Sequence, residues 1–150
     1  MKKLLFFPAL LLTLLLVQCN SPVNDPFEGS WDMQYAEWSL PDTTFTFTKT
    51  DAKQQVKIFE NGHFVWLQQD IHADSSNKDL TAGGFGTYIV SGDTVFEVLA
   101  LSPWPDVQGK SYSSKIEVRG DSLIQTFPYP GHVPEIWNEW TGKEIYVRLK

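Results

Sequence analysis

The side chains with which this sequence could do chemistry are three histidines (His63, His72 and His132), one cysteine (Cys19) and a scatter of carboxylates. The histidines are spread along the chain without the spacing that would bring two onto one metal ion. A single cysteine rules out both a disulfide framework and a zinc site built on paired cysteines. The sequence has no Gly-x-Ser-x-Gly elbow, no His-Glu-x-x-His helix and no dinucleotide-binding glycine fingerprint. Gly83-Gly84-Phe85-Gly86 is glycine-rich, but it opens a strand pattern and so lacks the helix N-terminus that would hold a phosphate. Close backbone approach or a bulge explains it better. Glu135 and Glu139 would share one face of a helix, and Glu37 and Glu97 are the acids to examine for an interior role. A carboxylate without a partner in reach is no acid–base pair. The sequence therefore reads as a non-enzyme with no cofactor and no metal.

Whatever positions these groups must fit in 150 residues, enough for one domain. Hydrophobic residues make up 42% and aromatics 14%, which excludes intrinsic disorder. The 12 Lys and Arg against 18 Asp and Glu give a formal charge of −6, which argues against nucleic acid as a partner.

The N-terminus reads as a targeting segment. Met1-Lys2-Lys3 is positive, and Leu4 to Val17 is apolar apart from Thr13 and contains Pro8. The run is shorter than the roughly 20 residues a membrane span requires and suits a signal-peptide core. No Ala-x-Ala-like site follows; the core runs directly into Leu16-Val17-Gln18-Cys19. This resembles the lipobox of bacterial lipoproteins, although Gln18 stands where a small residue is usual. The resemblance implies lipidation at Cys19, two or three acyl chains and durable anchoring, whereas one chain alone holds only marginally. Residues 1–18 are thus expected to be a lipoprotein signal peptide and 19–27 a tether. The resemblance implies a lipid-anchored protein of the cell envelope, at an outer membrane and facing either the periplasm or the outside.

From residue 28 to 150 no window repeats apolar residues at helical spacing; short alternating runs separated by turn signals appear instead. Asn61-Gly62, Gly92-Asp93, Gly120-Asp121 and Thr141-Gly142-Lys143 each separate two such runs, and Asn-Gly is a strong two-residue hairpin signal. With Ser30–Glu37 and Thr44–Lys49, and with Ile136–Trp140 before the last turn, the expected fold is an all-β antiparallel up-and-down meander of about eight to ten strands. If every tight turn lies at one end, the first and last strands run antiparallel and can pair, closing the barrel and removing both edges. An open sandwich is the alternative. The same count puts Trp31 and Arg148 at one end, together with the long loops Asp70–Ala82, Leu101–Lys110 and Pro128–Glu135. Those loops carry Trp104, Tyr129 and His132, which either pack down as lids or grip a partner.

Gly29-Ser30-Trp31 resembles the Gly-x-Trp signature of the lipocalin and calycin barrels, where a late arginine commonly packs over the tryptophan at the closed end; Arg148 matches that arginine. Lys57 to Trp66, then Gly83 to Tyr88 and the Gly92-Asp93-Thr94 turn, look like the lipocalin-like lipoproteins of Bacteroidetes, over roughly residues 27–149. The resemblance implies a barrel whose base is formed by Gly29, Trp31 and Arg148. Loop length makes the Trp31 end the mouth, whereas the resemblance makes it the base.

Around Gly120-Asp121, one face holds Lys115, Glu117, Arg119, Ser122, Ile124 and Thr126, and points to water. The other holds Tyr112, Ser114, Ile116, Val118, Leu123, Gln125 and Phe127, and points inward. Trp31, Met33 and Tyr35 alternate with Asp32 and Gln34 in the same way. Around Asn61-Gly62, neither the Val56, Ile58, Val65 and Leu67 face nor the Lys57, Phe59, Phe64, Trp66 and Gln68 face is marked as inner. Aromatics mixed with Gln125 and Ser114 suit a small-molecule cavity, so Met33, Tyr35, Trp66, Tyr88, Glu97, Tyr112, Gln125 and Phe127 are the expected lining. The ligand would be small and apolar or amphipathic. A filled core acting as an envelope interaction module through the Trp/Pro loops is the other reading, with its protein partner unspecified.

Overall fold

The structure is a computed structural model that describes residues 25–50, 53–71, 78–127 and 141–150. Turn chemistry sets three of its corners. Asn61 and Gly62 take φ of 50° and 75°, and Gly92 and Gly120 take 63° and 61°, the left-handed values that tight hairpins require. Between the turns run β1 (Gly29–Leu40), β2 (Thr43–Thr48), β3 (Lys53–Glu60), β4 (His63–Ile71), β5 (Lys78–Ser91), β6 (Thr94–Leu101), β7 (Ser111–Arg119), β8 (Ser122–Phe127) and β9 (Thr141–Arg148). Every neighbouring pair is antiparallel.

The barrel is closed. β1 pairs with β9 from Trp31 opposite Arg148 to Ser39 opposite Thr141, so the main sheet has no free ends. On its other side, β1 pairs with β3 at Gly29–Asp32 and with β2 at Tyr35–Leu40. β2 and β3 therefore run in the same direction along one edge of β1, as two segments of a single stave. The barrel has eight staves, within the expected range.

That shared stave overturns the direction count. Counting β2 and β3 as opposed inserts one reversal too many and places Trp31 among the long loops. The Asn61-Gly62, Gly92-Asp93 and Gly120-Asp121 turns in fact lie at the Trp31 end, where the Tyr88 amide donates to Gly62 and the Arg148 amide to Asp121. The described long loop, residues 102–110, lies at the opposite end, so the Trp31 end is the base. Thr141-Gly142-Lys143 is no turn but the start of β9, opposite Glu37, Trp38 and Ser39. Asp70–Ile71 and Lys78–Ala82 extend β4 and β5 rather than forming loop. The Ile136–Trp140 run, the Pro128–Glu135 loop with Tyr129 and His132, His72, Cys19 and the signal segment lie outside the described residues.

Residues just before β1 plug the base. Trp31 is fully buried, and its indole N–H donates to the Phe27 carbonyl at 2.6 Å. The Arg148 guanidinium lies 4.1 Å from the Trp31 ring and donates to the Glu28 and Pro26 carbonyls at 2.6 and 2.7 Å. Gly29 permits this, since a Cβ there would lie 2.6 Å from Arg148 Nη1 and φ is +124°. Phe27, placed by the sequence in the tether, is buried edge-on against Phe59 and Tyr88, with ring centroids 5.3 and 5.5 Å away.

Facing follows register. On β7 and β8, Lys115, Glu117, Arg119 and Thr126 are exposed while Ser114, Leu123 and Gln125 are buried. On β3 and β4, Lys57, Phe59 and Phe64 are buried, and Leu67 is exposed. A bulge at Gln34 gives β1 one extra residue against β9, between Met33–Tyr146 and Tyr35–Ile145. Beyond it the alternation inverts, turning Tyr35 outward and sending Ala36 inward. A register shift between Phe85 and Gly86 leaves Ala100 as the extra residue on β6, and Gly86 itself is required by close approach, since a Cβ there would overlap the Val98 carbonyl oxygen.

Candidate functional site

Above the aromatic base the barrel is hollow. A cavity of about 590 Å³ is lined by Trp38, Trp66, Trp104, Tyr112, Phe127 and Tyr146, by Leu99 and Val107, and by Gln55, Lys57, Gln68, Glu97, Asp106, Ser113, Ser114, Gln125 and Glu144. Two glycines make room for two of its indoles. A Cβ on Gly84 would lie 2.5 Å from Trp66 Nε1, and one on Gly142 would lie 3.0 Å from Trp38 Cδ1 and 2.9 Å from Phe127 Cζ.

Two polar groupings interrupt the apolar wall. In the first, Lys57 on β3 reaches Glu97 on β6 at 2.7 Å and donates to Gln125 Oε1 on β8 at 3.1 Å, and Gln125 donates on to Ser114 at 2.7 Å. Lys57 also lies over the Phe59 and Phe64 rings, 5.0 and 5.4 Å from their centroids. Glu97 has no exposed surface. The ammonium approaches Oε1 off the hydrogen-bonding direction, and the Tyr112 hydroxyl also bonds to this carboxylate. In the second, Glu144 on β9 accepts from the Trp38 indole N–H at 3.0 Å and from the Tyr146 hydroxyl at 2.6 Å. Gln55 donates weakly to Tyr146, at 3.4 Å.

Burial governs the titration of these groups. It pushes the Glu144 carboxyl above its ordinary value of 4.5, against the downward pull of the Lys57 charge and the Tyr146 and Trp38 hydrogen bonds. Burial, reinforced by the Glu144 and Glu97 carboxylates, drives the Tyr146 phenol well up; burial and Glu97 do the same to Tyr112. An acid with a raised folded pKa holds its proton longer in the native state, so its ionisation opposes folding as pH rises through the interval above 4.5. Glu144→Gln is therefore expected to be at least as stable as the parent near pH 7, with the advantage vanishing on acidification below 4.5. Paired urea titrations across pH check this; a variant equally destabilised at every pH would contradict it.

The mouth is partly covered by a short 3₁₀ turn, Pro105–Val107. Val107 is buried, the Gly109 amide donates to the Leu99 carbonyl at 2.7 Å, and Trp104 stacks on Trp66 at 5.9 Å and 20°. Trp104 thus packs down as a lid while keeping 46% of its surface exposed.

Of the eight residues expected to line the interior, Trp66, Glu97, Tyr112, Gln125 and Phe127 lie on the cavity wall. Met33 is buried in the packed core below it. Tyr35 faces outward beyond the Gln34 bulge and donates to Glu37 at 3.2 Å. Tyr88 belongs to the base, where its hydroxyl donates to Glu28 at 3.1 Å and its ring meets Phe59 edge-on at 5.3 Å; burial and the Glu28 contact push its pKa up to about 12. Gly29, Trp31 and Arg148 come together at the closed end. Sequence reasoning missed Lys57, Gln55, Trp38, Glu144 and Tyr146. For Lys57 and Gln55 the available signal was an aromatic strand face interrupted by a lysine and flanked by glutamines.

No family model matches the chain, and no curated protein matches it. Among solved structures, the barrel is similar to a lipocalin-like protein from Bacteroides uniformis, with 18% identity, a TM-score of 0.46, and coverage of 81% of this chain and 97% of that one. It is likewise similar to an uncharacterized protein from Bacteroides eggerthii, with 16% identity, a TM-score of 0.44, and coverage of 81% and 98%.

Proposed function

We propose that the protein is a lipid-anchored, lipocalin-like binding protein of the cell envelope that holds a small, largely apolar ligand inside its barrel. One observation carries this reading: the cavity of about 590 Å³ that runs from the mouth into the barrel, within the range of small-molecule sites. Its wall has the composition of such sites, aromatic and aliphatic with a few placed polar groups. A filled-core interaction module is hard to reconcile with that void. Tethering rests on the Leu16-Val17-Gln18-Cys19 pattern, and acyl-chain labelling in cells that is lost in Cys19→Ser is its test.

The binding reading is tested with N-phenyl-1-naphthylamine, a neutral apolar fluorophore. Saturable one-to-one enhancement and a blue shift are expected. Leu99→Trp, which places an indole in the void beside Gly84, is expected to weaken binding by about tenfold or more. Binding unaffected by Leu99→Trp, or by Ser114→Phe should that variant fold better, would overturn the reading.

A further inference from the structure

The cavity's charges point to the polar end of its occupant. Among the described lining residues, Lys57 is the one cation, against the carboxylates of Glu97, Glu144 and Asp106. Lys57 is already occupied by Glu97, by Gln125 and by the faces of Phe59 and Phe64. A bound anion would have to share that single ammonium with Glu97 and approach Glu144 as well. The opposite need is met only in part. Glu97 is fully buried on the cavity wall, where Lys57 at 2.7 Å and the Tyr112 hydroxyl leave its carboxylate with accepting positions to spare, and the Ser113 hydroxyl, also buried on that wall, has no hydrogen-bond partner among the described residues. A buried carboxylate with unfilled accepting positions gains from any further charged donor that a ligand supplies. Trp38, Trp66, Tyr112 and Tyr146 offer aromatic surface around the same space, which suits an ammonium and the apolar body attached to it.

We propose that the occupant is an amphipathic amine, its protonated nitrogen donating to Glu97 and facing Glu144 while its apolar body lies against the tryptophans. This rests on the binding reading above and names the ligand class. Glu144 is faced by Lys57, Glu97, Tyr112, Tyr146 and Trp38, and an entering cation favours its ionised form. Amine affinity therefore rises with pH until Glu144 has ionised, and falls again once the amine itself loses its proton.

Calorimetry on the full chain with three probes sharing one body separates the cases: 2-(1-naphthyl)ethylamine, 1-naphthaleneacetate and 1-ethylnaphthalene. The amine is expected to bind about tenfold or more tighter than either of the others. Glu97→Gln is expected to reduce amine affinity about tenfold while leaving 1-ethylnaphthalene within about twofold; Glu144→Gln serves if Glu97→Gln does not fold. Equal binding of amine and neutral probe, tighter binding of the acetate, or an amine affinity unmoved by the carboxylate variants would overturn the amine assignment and leave the binding reading standing. Failure of all three probes, and of the neutral fluorophore, would overturn both.

Discussion

Lys57→Met is expected to destabilise the protein by about 3–5 kcal/mol, because it strands the Glu97 charge in the barrel interior. Lys57 and Glu97 sit 2.7 Å apart on opposite sides of the lumen, with side chains 6% and 0% exposed. The pair's own net contribution is small, since desolvating both ions offsets much of their attraction. The loss comes from breaking it one-sidedly. Lys57→Met/Glu97→Leu, which removes both charges and keeps the volume, is accordingly expected to recover most of the deficit. Chemical denaturation of the three proteins gives the answer: a single variant within about 1 kcal/mol of the parent would show that Glu97 finds water or another partner in solution.

Trp31→Ala is expected to cost about 3–5 kcal/mol, the range for deleting a large buried aromatic. The indole is fully enclosed, donates to Phe27 at 2.6 Å and lies under Arg148 at 4.1 Å. Its removal opens the floor and releases the 25–28 segment that Arg148 also holds through the Pro26 and Glu28 carbonyls. Against a total stability of about 5–15 kcal/mol this is a large fraction. Trp31→Phe keeps much of the apolar contact and loses the N–H donor, so an intermediate loss is expected, read from the same denaturation curves. An alanine variant as stable as the phenylalanine variant would mean that the floor closes without the indole.

Much of this architecture was legible because its causes are local. Asn61-Gly62, Gly92-Asp93 and Gly120-Asp121 announce reversals through residues that tolerate positive φ, and the charged face of β7 and β8 separates cleanly from the inner one. Closure is right although its parity argument miscounts twice: β2 and β3 do not reverse and Thr141-Gly142-Lys143 is no turn, so the two errors cancel and β1 still runs antiparallel to β9. The errors have equally physical causes. Two short strand patterns, Thr43–Thr48 and Lys53–Glu60, carry no mark saying whether the chain reverses between them; only their shared partner β1 shows that it does not. A bulge is likewise invisible in an alternating pattern, so Gln34 displaced Tyr35 from the inner face unannounced. Gly142 looked like a turn residue, whereas its cause is the Phe127 ring, Trp38 and the Glu37 carbonyl at its surface.

The site was harder to see than the fold. In the Asn61-Gly62 hairpin neither face declares itself, because Phe59, Phe64 and Trp66 offset the lysine beside them; the lysine-bearing face is the inner one. Lys57 is acceptable there because Glu97, forty residues further along by sequence number, faces it across the lumen. Glu144 is bonded by Tyr146, two residues along its own strand, and by Trp38, which the bulged register of β1 against β9 brings beside it. Such groupings are properties of the closed barrel, not of any one strand.

Diffraction from crystals soaked with 1-bromonaphthalene tests the central claim most directly, because the anomalous signal of bromine locates the ring without ambiguity. The expected result is a peak inside the barrel, bounded by Trp38, Trp66 and Tyr112, with the base beneath Trp31 unchanged. Bromine found only on the outer surface, with side chains filling the lumen, would contradict it.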